Sequence, residues 1–486
     1  MTSPRLAACH LPGLEPACLA WHCLTFGAGQ DALTVDVPLL TPPQLALLTQ
    51  RVRQASHGYL KTLSVSQIIA IIDRAIARLL DPQDPYRQEA ERLLPRVTGF
   101  HPEMIRLALT AYLKCFRAPQ LTRFVAEDFA NPSMLDVFQP RPKGGWAQAV
   151  GPDLLAHVWA GNVPGLPLWS LISGLLVKAG NIGKVSSAEP LLATWFARLL
   201  GEVDPRMADC LAVVWWPSSE PALAQQLFGE ADAVVAYGGN SALEDLRRQV
   251  PAHTRFLPHG HKLSFGMVSP CALDARQAIA TARLAALDVV RYEQQGCYSP
   301  HVFYVARGGK VTPQEFAHYL AAELAALQHK FPRRALSLEE SVSVAHWRQA
   351  REFEAMADDG TELLGDASAL WHVAFSRTAK PLTPSALNRT VSVVAVDRLE
   401  DVIALIAPQR VWLQTAGLAA SPEELFELAA RLGQAGVTRI CAIGAMTSPE
   451  AGWHHDGRFS LLDLVQMVEI EQSTELAAEA FSRYRT

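Results

Sequence analysis

The sequence predicts an α/β protein with two doubly wound domains and a helical N-terminal region. Two runs of alternating strand-like and helix-like segments support this prediction, the first beginning near residue 150 and the second following residue 297. The chain has 486 residues, which is too long for one ordinary hydrophobic core and indicates more than one domain. With 49% hydrophobic and 19% charged residues, its composition is that of a folded globular protein.

Residues 1–135 are predicted to form a helical region that packs on the following domain. In SVSQIIAIIDRAIARLL and PEMIRLALTAYLKCF, apolar residues recur at the three- and four-residue spacings of a buried helix face. Metal-capable side chains occur near the start of this region, at Cys9, His10, Cys18, His22 and Cys23. Their spacing matches no standard zinc motif, so we interpret them as ordinary side chains.

Residues 136–265 are predicted to form a dinucleotide-binding α/β domain. Strand-like runs such as LLAHVWAG, CLAVVWW and ADAVVAYGG alternate with helix-like runs such as EPLLATWFARLL and EPALAQQLFGE. The most apolar run, LPLWSLISGLLVKAG, is short and is interrupted by serine and glycine. It predicts a buried helix and no membrane span.

Residues 266–450 are predicted to form a second α/β domain. Its alternation includes HVFYVA, TPQEFAHYLAAELAALQHKF, TVSVVAV, RVWLQT and SPEELFELAARLGQAG. The glycine-containing stretch HGHKLSFGMVSP separates the two alternations and predicts a domain boundary near residue 265. We expect residues 451–486 to return to the first domain or to contact a partner subunit.

Charge and cysteine usage exclude several classes of protein. A net charge of −5 and a pI near 6.3 give no electrostatic reason to expect binding to nucleic acid or to an anionic membrane. The eight cysteines are scattered without a CxxC pair, and the N-terminus lacks the basic start and apolar core of a signal peptide. We therefore expect reduced thiols and a cytoplasmic location.

Two predicted loops of the first domain carry polar groups where strands end, which is where open α/β sheets bind ligands. In AGNVPG, the Asn162 amide can donate to a developing oxyanion, although on spacing alone a loop-and-cap asparagine is the simpler interpretation. In AGNIGKVSSAEP, Lys184, Ser186 and Ser187 provide one cation and two hydroxyls that suit a phosphate or a ribose. A solvated loop is the alternative.

A third loop, AYGGNSALEDL, follows a predicted strand and opens a predicted helix. This context places the backbone N–H groups of Gly238, Gly239 and Asn240 where they can face a pyrophosphate. The loop is not a GxGxxG motif, so its strand–turn–helix context carries the prediction.

A fourth stretch, EQQGCYSPH, places Cys297 on a polar turn between a predicted helix and a predicted strand. Most free cysteines are small apolar core residues, so this position is unusual. A cysteine on a turn can expose its sulfur, and nearby backbone N–H groups can favour the thiolate. Thiolate attacks acyl carbon and also leaves readily, which makes Cys297 a candidate nucleophile.

Six motifs in order resemble the LuxC-type acyl-CoA reductase family of the aldehyde dehydrogenase superfamily. They are AGNVPG, AGNIGKVSS, YGGNS, GHKLSFG, QQGCYSP and WHHDGRF, and they lie between residues 140 and 475. No single motif is specific, but six in this order are. The resemblance implies an aldehyde dehydrogenase-like fold with a cofactor-binding and a catalytic domain. It also implies a homo-oligomer, a dimer or a tetramer, paired through the C-terminal segment.

The resemblance also assigns roles to individual positions. Cys297 matches the nucleophile, and Asn162 matches the asparagine that steadies the oxyanion together with the Cys297 backbone N–H. Lys184 matches the lysine near the adenosine ribose. The remaining cofactor-binding positions by this correspondence are Gly161, Ser186, Ser187, Gly238, Gly239 and Asn240.

Two departures from the superfamily pattern refine the expected activity. Hydrolytic aldehyde dehydrogenases carry a Glu-Leu-Gly-Gly-Lys segment whose Glu activates water, whereas residues 258–262 here read PHGHK and contain no carboxylate. This favours a thioester reductase.

Many NAD-dependent relatives have a Glu where this chain has Ser187. Without the negative charge of that Glu, the 2'-phosphate of NADPH is accepted. We therefore expect NADPH over NADH, unless Glu189 takes the place of the missing carboxylate.

The expected function is NADPH-dependent reduction of a fatty acyl thioester, on CoA or on a carrier, to an aldehyde through an acyl-Cys297 intermediate. The alternatives are a cysteine-dependent acyltransferase or thioesterase, a CoA-acylating aldehyde dehydrogenase working oxidatively, and a non-catalytic scaffold. An acyl-transferring partner protein is compatible with the resemblance.

Several histidines are candidates for acid–base chemistry because imidazole titrates near neutral pH. They are His259, His261 and His301, although most loop histidines have no catalytic role. His454, His455 and Asp456 contain metal-ligating groups, but we interpret their segment as a structural loop and expect no metal.

Overall fold

A parallel or largely parallel β-sheet in each half of the chain organises the computed structural model of this protein. The structure describes residues 6–29, 32–365, 368, 370–479 and 481–482. Helices connect most successive parallel strands in both sheets, which confirms the predicted α/β class.

The N-terminal region consists of a β-hairpin followed by helices. Its elements are β1 (Ala20–Phe26), β2 (Leu33–Leu39), α1 (Pro42–Gly58), α2 (Val65–Leu80), α3 (Pro85–Thr98), α4 (Pro102–Leu113), α5 (Ala118–Asp128), β3 (Gln139–Pro140) and β4 (Trp146–Val150). A capping box between Ser64 and Gln67 begins α2, whose buried isoleucines follow the predicted helical spacing. The helical prediction misses the hairpin, because β1 is exposed or half-buried and shows no apolar alternation.

The first parallel sheet follows directly. In chain order its elements are β5 (Leu154–Val158), α6 (Leu166–Leu176), β6 (Gly180–Lys184), α7 (Leu192–Val203), α8 (Pro205–Ala208), β7 (Leu211–Val214), α9 (Pro221–Glu230), β8 (Ala233–Tyr237), α10 (Asn240–Gln249) and β9 (Arg255–His259). The strand order is β7-β6-β5-β8-β9, with parallel neighbours throughout. From β5 the chain adds β6 and β7 on one side, and it then adds β8 and β9 on the other side of β5. A topological switch point therefore lies between β5 and β8.

The second sheet is formed by the part of the chain that contains Cys297. Its elements are β10 (Leu263–Val268), α11 (Ala275–Val290), β11 (Pro300–Ala306), α12 (Pro313–Lys330), α13 (Leu338–Ala357), β12 (Thr361–Gly365), β13 (His372–Ser376), β14 (Thr390–Val396), α14 (Val402–Ile406), β15 (Leu413–Ala419), α15 (Pro422–Ala435) and β16 (Arg439–Ala442). The strand order is β12-β13-β14-β11-β10-β15-β16, with only β12 antiparallel to its neighbour among the described strands. The predicted boundary at residue 265 falls inside β10.

The C-terminal segment returns to the first half of the chain. Strand β17 (Gln466–Ile470) pairs antiparallel with β4, and α16 (Gln472–Glu479) follows. α6, which contains the most apolar run of the sequence, is buried along nearly its whole length. Among the described residues, no helix combines the length and the apolar character needed to cross a bilayer.

Candidate active site

A cavity of about 550 Å³ lies between the two sheets. Asn162, which follows β5, and Gly238, which follows β8, line it from the first sheet. Leu263 at the start of β10 and Cys297 just before β11 line it from the second. The cavity therefore joins the carboxyl ends of strands in one sheet to the amino ends of strands in the other.

The Cys297 thiol is half-buried in the wall of this cavity. The amide nitrogen of Gln414, at the start of β15, donates to the Cys297 sulfur over 3.2 Å. The Nε2 atom of His455 lies 3.8 Å from the same sulfur. The Cys297 carbonyl accepts a hydrogen bond of 2.8 Å from the Ser264 hydroxyl, which fixes the turn against β10.

The backbone before Cys297 is held in an uncommon conformation. Tyr292, Glu293 and Gln294 have φ of 54°, 52° and 60°, in the left-handed region that side chains disfavour. A buried ion pair between Glu293 and Arg389, at 2.7 Å, and two backbone N–H groups donating to the Gln294 side chain hold this segment. Because these partners are buried, the position of Cys297 is set by the surrounding core.

The thiol is protonated in the resting site. Burial, reinforced by the negative charge of Asp456, raises the pKa of Cys297 to about 12, although the Gln414 hydrogen bond lowers it. The expectation that its polar turn favours thiolate is therefore wrong, because loss of hydration outweighs the local N–H groups. A neutral thiol requires a base at the moment of attack.

His455 is placed to be that base. Burial, followed by the charge of His259, lowers the pKa of His455 to about 3, so its imidazole is neutral and only weakly basic in the resting site. It can accept the thiol proton only as negative charge develops on the sulfur 3.8 Å away, because that charge stabilises the imidazolium. Its ring stacks on His259 at 4.3 Å between centroids, and Trp453 lies against it at 4.6 Å. The segment interpreted from sequence as a structural loop brings His455 within 3.8 Å of the Cys297 sulfur.

Asp456 supplies a buried carboxylate to the same group. It accepts a 2.6 Å hydrogen bond from Gln414, and its other oxygen lies 3.2 Å from Nδ1 of His259. Although burial alone would raise it, these hydrogen bonds and the nearby histidines hold the pKa of Asp456 below its usual value. The C-terminal loop therefore places a buried carboxylate between Gln414 and His259.

His259, His455 and Asp456 also form a set of metal-capable groups, with ligand atoms within 4.8 Å of one another. The two imidazole rings are nearly parallel, with an interplanar angle of 13°. Lone pairs that lie in parallel ring planes do not converge on one ion, so the observed arrangement favours proton chemistry over metal binding. The N-terminal cysteines and histidines are not brought together: His10 bonds the Ala208 carbonyl, while His22 stacks on Trp215.

Asn162 reaches the loop that carries Cys297. Its side-chain nitrogen donates to the Gln295 carbonyl over 2.7 Å, two residues before Cys297. The side chain is exposed to the cavity, so the second N–H of the amide is free to meet a ligand. The structure thus brings this predicted residue beside the predicted nucleophile.

The glycine turn after β8 faces the cavity at the start of α10. Gly238 and Gly239 line the cavity, whereas the Asn240 side-chain oxygen accepts a hydrogen bond from the backbone of His261. A Cβ added to Gly239 would lie 3.4 Å from the His261 ring, so a side chain there would narrow the gap between the two loops. The bare turn leaves helix N–H groups open to a ligand.

Four predicted cofactor-binding residues lie together where β5 and β6 end, outside the cavity lining. They are Gly161, Lys184, Ser186 and Ser187. We name them the β6 cluster. A Cβ on Gly161 would lie 2.9 Å from the Ser186 hydroxyl, which shows how closely the two loops pack. The Ser187 hydroxyl accepts a 3.0 Å hydrogen bond from the Trp215 indole, and burial lowers the pKa of Lys184.

Glu189 is turned away from the β6 cluster. Its carboxylate is buried and accepts hydrogen bonds of 2.8 and 2.9 Å from the N–H groups of Leu191 and Leu192, at the start of α7. Burial raises the pKa of Glu189, and these backbone bonds oppose that rise. The side chain caps a helix and does not replace the carboxylate missing at Ser187.

The two other candidate histidines, His301 and His261, differ in their surroundings. His301 bonds the hydroxyl and the backbone N–H of Ser385 at 3.1 and 3.0 Å. Burial, followed by the charge of His261, lowers its pKa to about 4. His261 is exposed in the cavity wall and lies beside Gly239. Neither makes a hydrogen bond to Cys297 among the described residues.

Part of the cavity wall is apolar. It includes side chains from α4, from α6 and the loop before it, and from the C-terminal loop: Tyr112, Val163, Leu166, Trp169, Phe459 and Leu464. Tyr112 and Trp169 pack edge to face at 5.9 Å, within an aromatic cluster that also contains Phe116. Such a surface suits an alkyl chain bound next to the thiol.

Solved proteins of similar structure establish the fold. A gamma-glutamyl-gamma-aminobutyraldehyde dehydrogenase from Burkholderia cenocepacia superposes with a TM-score of 0.73 at 14% identity, over 93% of this chain and 92% of that chain. An NAD-dependent benzaldehyde dehydrogenase from Corynebacterium glutamicum has a TM-score of 0.69 at 12% identity, over 93% and 94%. The protein is therefore an aldehyde dehydrogenase-fold protein, as the motif order predicts.

The family model described as acyl-CoA reductase (LuxC) matches residues 60–467, and the chain belongs to that family. It is an acyl reductase and hence an oxidoreductase. A long-chain acyl-protein thioester reductase from Vibrio harveyi is 26% identical over 431 residues, covering 87% of this chain and 86% of that protein. One from Aliivibrio fischeri is 26% identical over 417 residues, covering 84% and 83%.

Proposed function

We propose that this protein reduces a fatty acyl thioester to the aldehyde with NADPH, through an acyl thioester on Cys297. The observation that carries the proposal is the shared cavity, in which Cys297 faces Asn162, the bare turn at Gly238 and an apolar wall. A nucleophile, an oxyanion donor, a pyrophosphate site and an alkyl site are the parts that this reaction needs.

The acyl donor is a thioester on CoA or on a protein. Relatives are named long-chain acyl-protein thioester reductases, which supports a long acyl chain delivered by a partner protein. The family description names acyl-CoA, which supports a free thioester as a second donor. The apolar cavity wall is compatible with both donors, because an apolar surface would bind the acyl chain that the two donors share.

Attack begins with a protonated thiol. His455 Nε2 takes the Cys297 proton while the sulfur bonds to the acyl carbon, and the carbonyl oxygen becomes an oxyanion. The free N–H of the Asn162 amide and the Cys297 backbone N–H stabilise that oxyanion. His455 then returns the proton to the departing thiol, which leaves acyl-Cys297 in the cavity.

The residues present fit a dinucleotide. The N–H groups at the start of α10 face the cavity at Gly238 and Gly239, and the β6 cluster lies beyond the carboxyl ends of the neighbouring strands. A reduced nicotinamide held by these groups would provide the hydride that the reduction needs. Asn162 again stabilises the oxyanion on the reduced acyl carbon. Release of the Cys297 sulfur from that carbon then frees the aldehyde.

The direct test is an aldehyde assay. Purified protein is incubated with acyl-CoA esters of increasing chain length and with either NADPH or NADH, and free aldehyde is measured by mass spectrometry after trapping. We expect aldehyde with long-chain donors and faster turnover with NADPH. Fatty acid without aldehyde would favour a thioesterase, and thioester formation from aldehyde alone would favour the oxidative direction.

Changing Asn162 to alanine is expected to slow acylation by about 100- to 1000-fold, because one oxyanion donor is lost. Rapid-quench measurement of acyl-Cys297 formation would show the loss as a lower rate constant with the same final stoichiometry. Since Asn162 also holds the Gln295 carbonyl, the melting temperature is measured in parallel. An acylation rate equal to wild type would contradict the assigned oxyanion role.

Changing Ser187 to glutamate is expected to weaken binding of 2',5'-ADP by about tenfold or more, because a carboxylate would repel the 2'-phosphate. Ser187→Gln is the matched control, since glutamine has nearly the size of glutamate but carries no charge. Calorimetric titration with 2',5'-ADP and with 5'-AMP separates the phosphate effect from general damage to the site. Equal loss of both ligands, or of neither, would contradict an NADPH preference set by Ser187.

A further inference from the structure

The N-terminal β-hairpin reaches the β6 cluster and has no part in the reaction proposed above. His22, in β1, stacks on Trp215 with 5.0 Å between the ring centroids and an interplanar angle of 3°. Trp215 comes directly after β7 and is buried, whereas His22 is exposed. The family model begins its match at residue 60, so the hairpin lies outside the part of the chain that the family describes.

Backbone pairing fixes the hairpin to the edge of the first sheet. Residues 6–10 connect β2 to β7. The Ala8 N–H donates to the Asp36 carbonyl over 2.8 Å, and His10 and Val213 exchange two backbone hydrogen bonds of 3.1 and 2.8 Å. Main-chain hydrogen bonds at both ends of this connecting segment therefore support the contact between the hairpin and the sheet.

The Trp215 indole sets the direction of the Ser187 hydroxyl. The indole N–H donates to the Ser187 oxygen over 3.0 Å, and an indole nitrogen is a donor only. The Ser187 O–H hydrogen must therefore be directed away from Trp215. Because Ser187 is exposed, that hydrogen is available to an acceptor on a ligand.

His22 and Lys184 add two further donors around the same pair of tryptophans. Nζ of Lys184 lies 5.8 Å from the ring centroid of Trp216, which follows Trp215 directly. Among the described residues, none makes a hydrogen bond to the His22 ring, so its N–H is open to a ligand. An ammonium, an imidazole N–H and a hydroxyl suit a phosphate monoester, whose dianion has only acceptor oxygens.

We propose that His22 binds the 2'-phosphate of NADPH together with Ser187, so that the N-terminal hairpin forms one wall of the nucleotide site. The inference rests on the proposed function, because it needs NADPH as the cofactor. A ribose diol is bound best through a carboxylate, whereas this group of side chains offers donors. Trp215 is a positioning residue, since it orients the Ser187 hydroxyl and supports the imidazole ring.

The experiment measures nucleotide binding and needs no turnover. The full-length protein is titrated calorimetrically with 2',5'-ADP, 3',5'-ADP and 5'-AMP, which differ in the presence or position of the second phosphate. His22→Phe keeps an aromatic ring on Trp215 and removes the ring N–H. We expect this variant to bind 2',5'-ADP about tenfold more weakly, the worth of one hydrogen bond to a charged group, and to bind 5'-AMP as wild type does.

Cys23→Ala is the matched control, because Cys23 is exposed and neighbouring residues of a strand point to opposite faces. Trp215→Phe provides a second variant, which keeps a ring beneath His22 but removes the indole N–H that orients Ser187. It should also lose affinity for 2',5'-ADP and not for 5'-AMP, and its melting temperature is measured in parallel.

Unchanged binding of 2',5'-ADP by His22→Phe would overturn the inference, as would an equal loss of 5'-AMP. A loss confined to 3',5'-ADP would also overturn it, because that phosphate position belongs to CoA. Wild-type protein that binds 2',5'-ADP no more tightly than 5'-AMP would instead overturn the NADPH preference of the proposed function, on which the inference depends.

Discussion

Replacing Cys297 with alanine is expected to abolish acylation and aldehyde formation together. Loss of a covalent nucleophile costs on the order of a millionfold in rate, because Cys297 is the one cysteine among the described residues that line the cavity. The protein is incubated with radiolabelled acyl-CoA, and tryptic peptides are analysed by mass spectrometry. Label should appear on the peptide that contains Cys297 in wild type and should be absent from the variant.

A matched control separates this effect from nonspecific acylation of thiols. Cys271 is exposed and lies outside the cavity lining, so Cys271→Ala should acylate as wild type does. Because Cys297 is half-buried and its carbonyl is bonded to Ser264, the melting temperature of Cys297→Ala is compared with wild type. Label retained on folded Cys297→Ala would rule out the assignment of the nucleophile.

Local sequence is sufficient to predict residues whose position on the cavity wall depends on backbone shape. Gly238 and Gly239 lie directly after β8, and Asn162 follows β5. Each is positioned by a strand end next to a topological switch point, which hydrophobic alternation reveals without any knowledge of tertiary contacts. Cys297 was found for a related reason, since a polar turn between a helix and a strand is visible in the sequence.

Local sequence does not reveal the side chains that contact the Cys297 sulfur. Gln414 and His455 contact its sulfur from 117 and 158 residues further along the chain. Gln414 lies at the amino end of β15, whereas ligand sites are sought at carboxyl ends. The run His454-His455-Asp456 is a sequence signal for such groups, yet a polar run of this kind is also typical of a structural loop.

The ionisation state of Cys297 also depends on contacts that local sequence does not reveal. A sequence reports the neighbours of a residue along the chain, and those neighbours favoured thiolate. The pKa of the thiol instead follows its burial among side chains from β15 and the C-terminal loop, including the carboxylate of Asp456. Burial and the Asp456 charge both disfavour a negative charge on the sulfur. Tertiary structure therefore decides that the Cys297 pKa is raised.

Changing His455 to glutamine should both slow acylation at pH 7, by about 100- to 10,000-fold, and alter its pH dependence. In wild type the Cys297 pKa is about 12 and the His455 pKa about 3. Between pH 5 and 9 the thiol therefore stays protonated and the imidazole stays neutral. The rate of acyl-Cys297 formation, measured by rapid quench and intact-mass spectrometry, should accordingly be independent of pH in this range.

Without His455, only the small thiolate fraction can attack, and that fraction grows about tenfold for each pH unit below the thiol pKa. His455→Gln should therefore convert a flat profile into one that rises with pH, a change that a purely structural role would not produce. His454→Gln is the matched control, because the neighbouring ring lies 3.8 Å from Asp128 and makes no hydrogen bond to Cys297. A wild-type profile that rises with unit slope would show that free thiolate attacks and that His455 takes no proton.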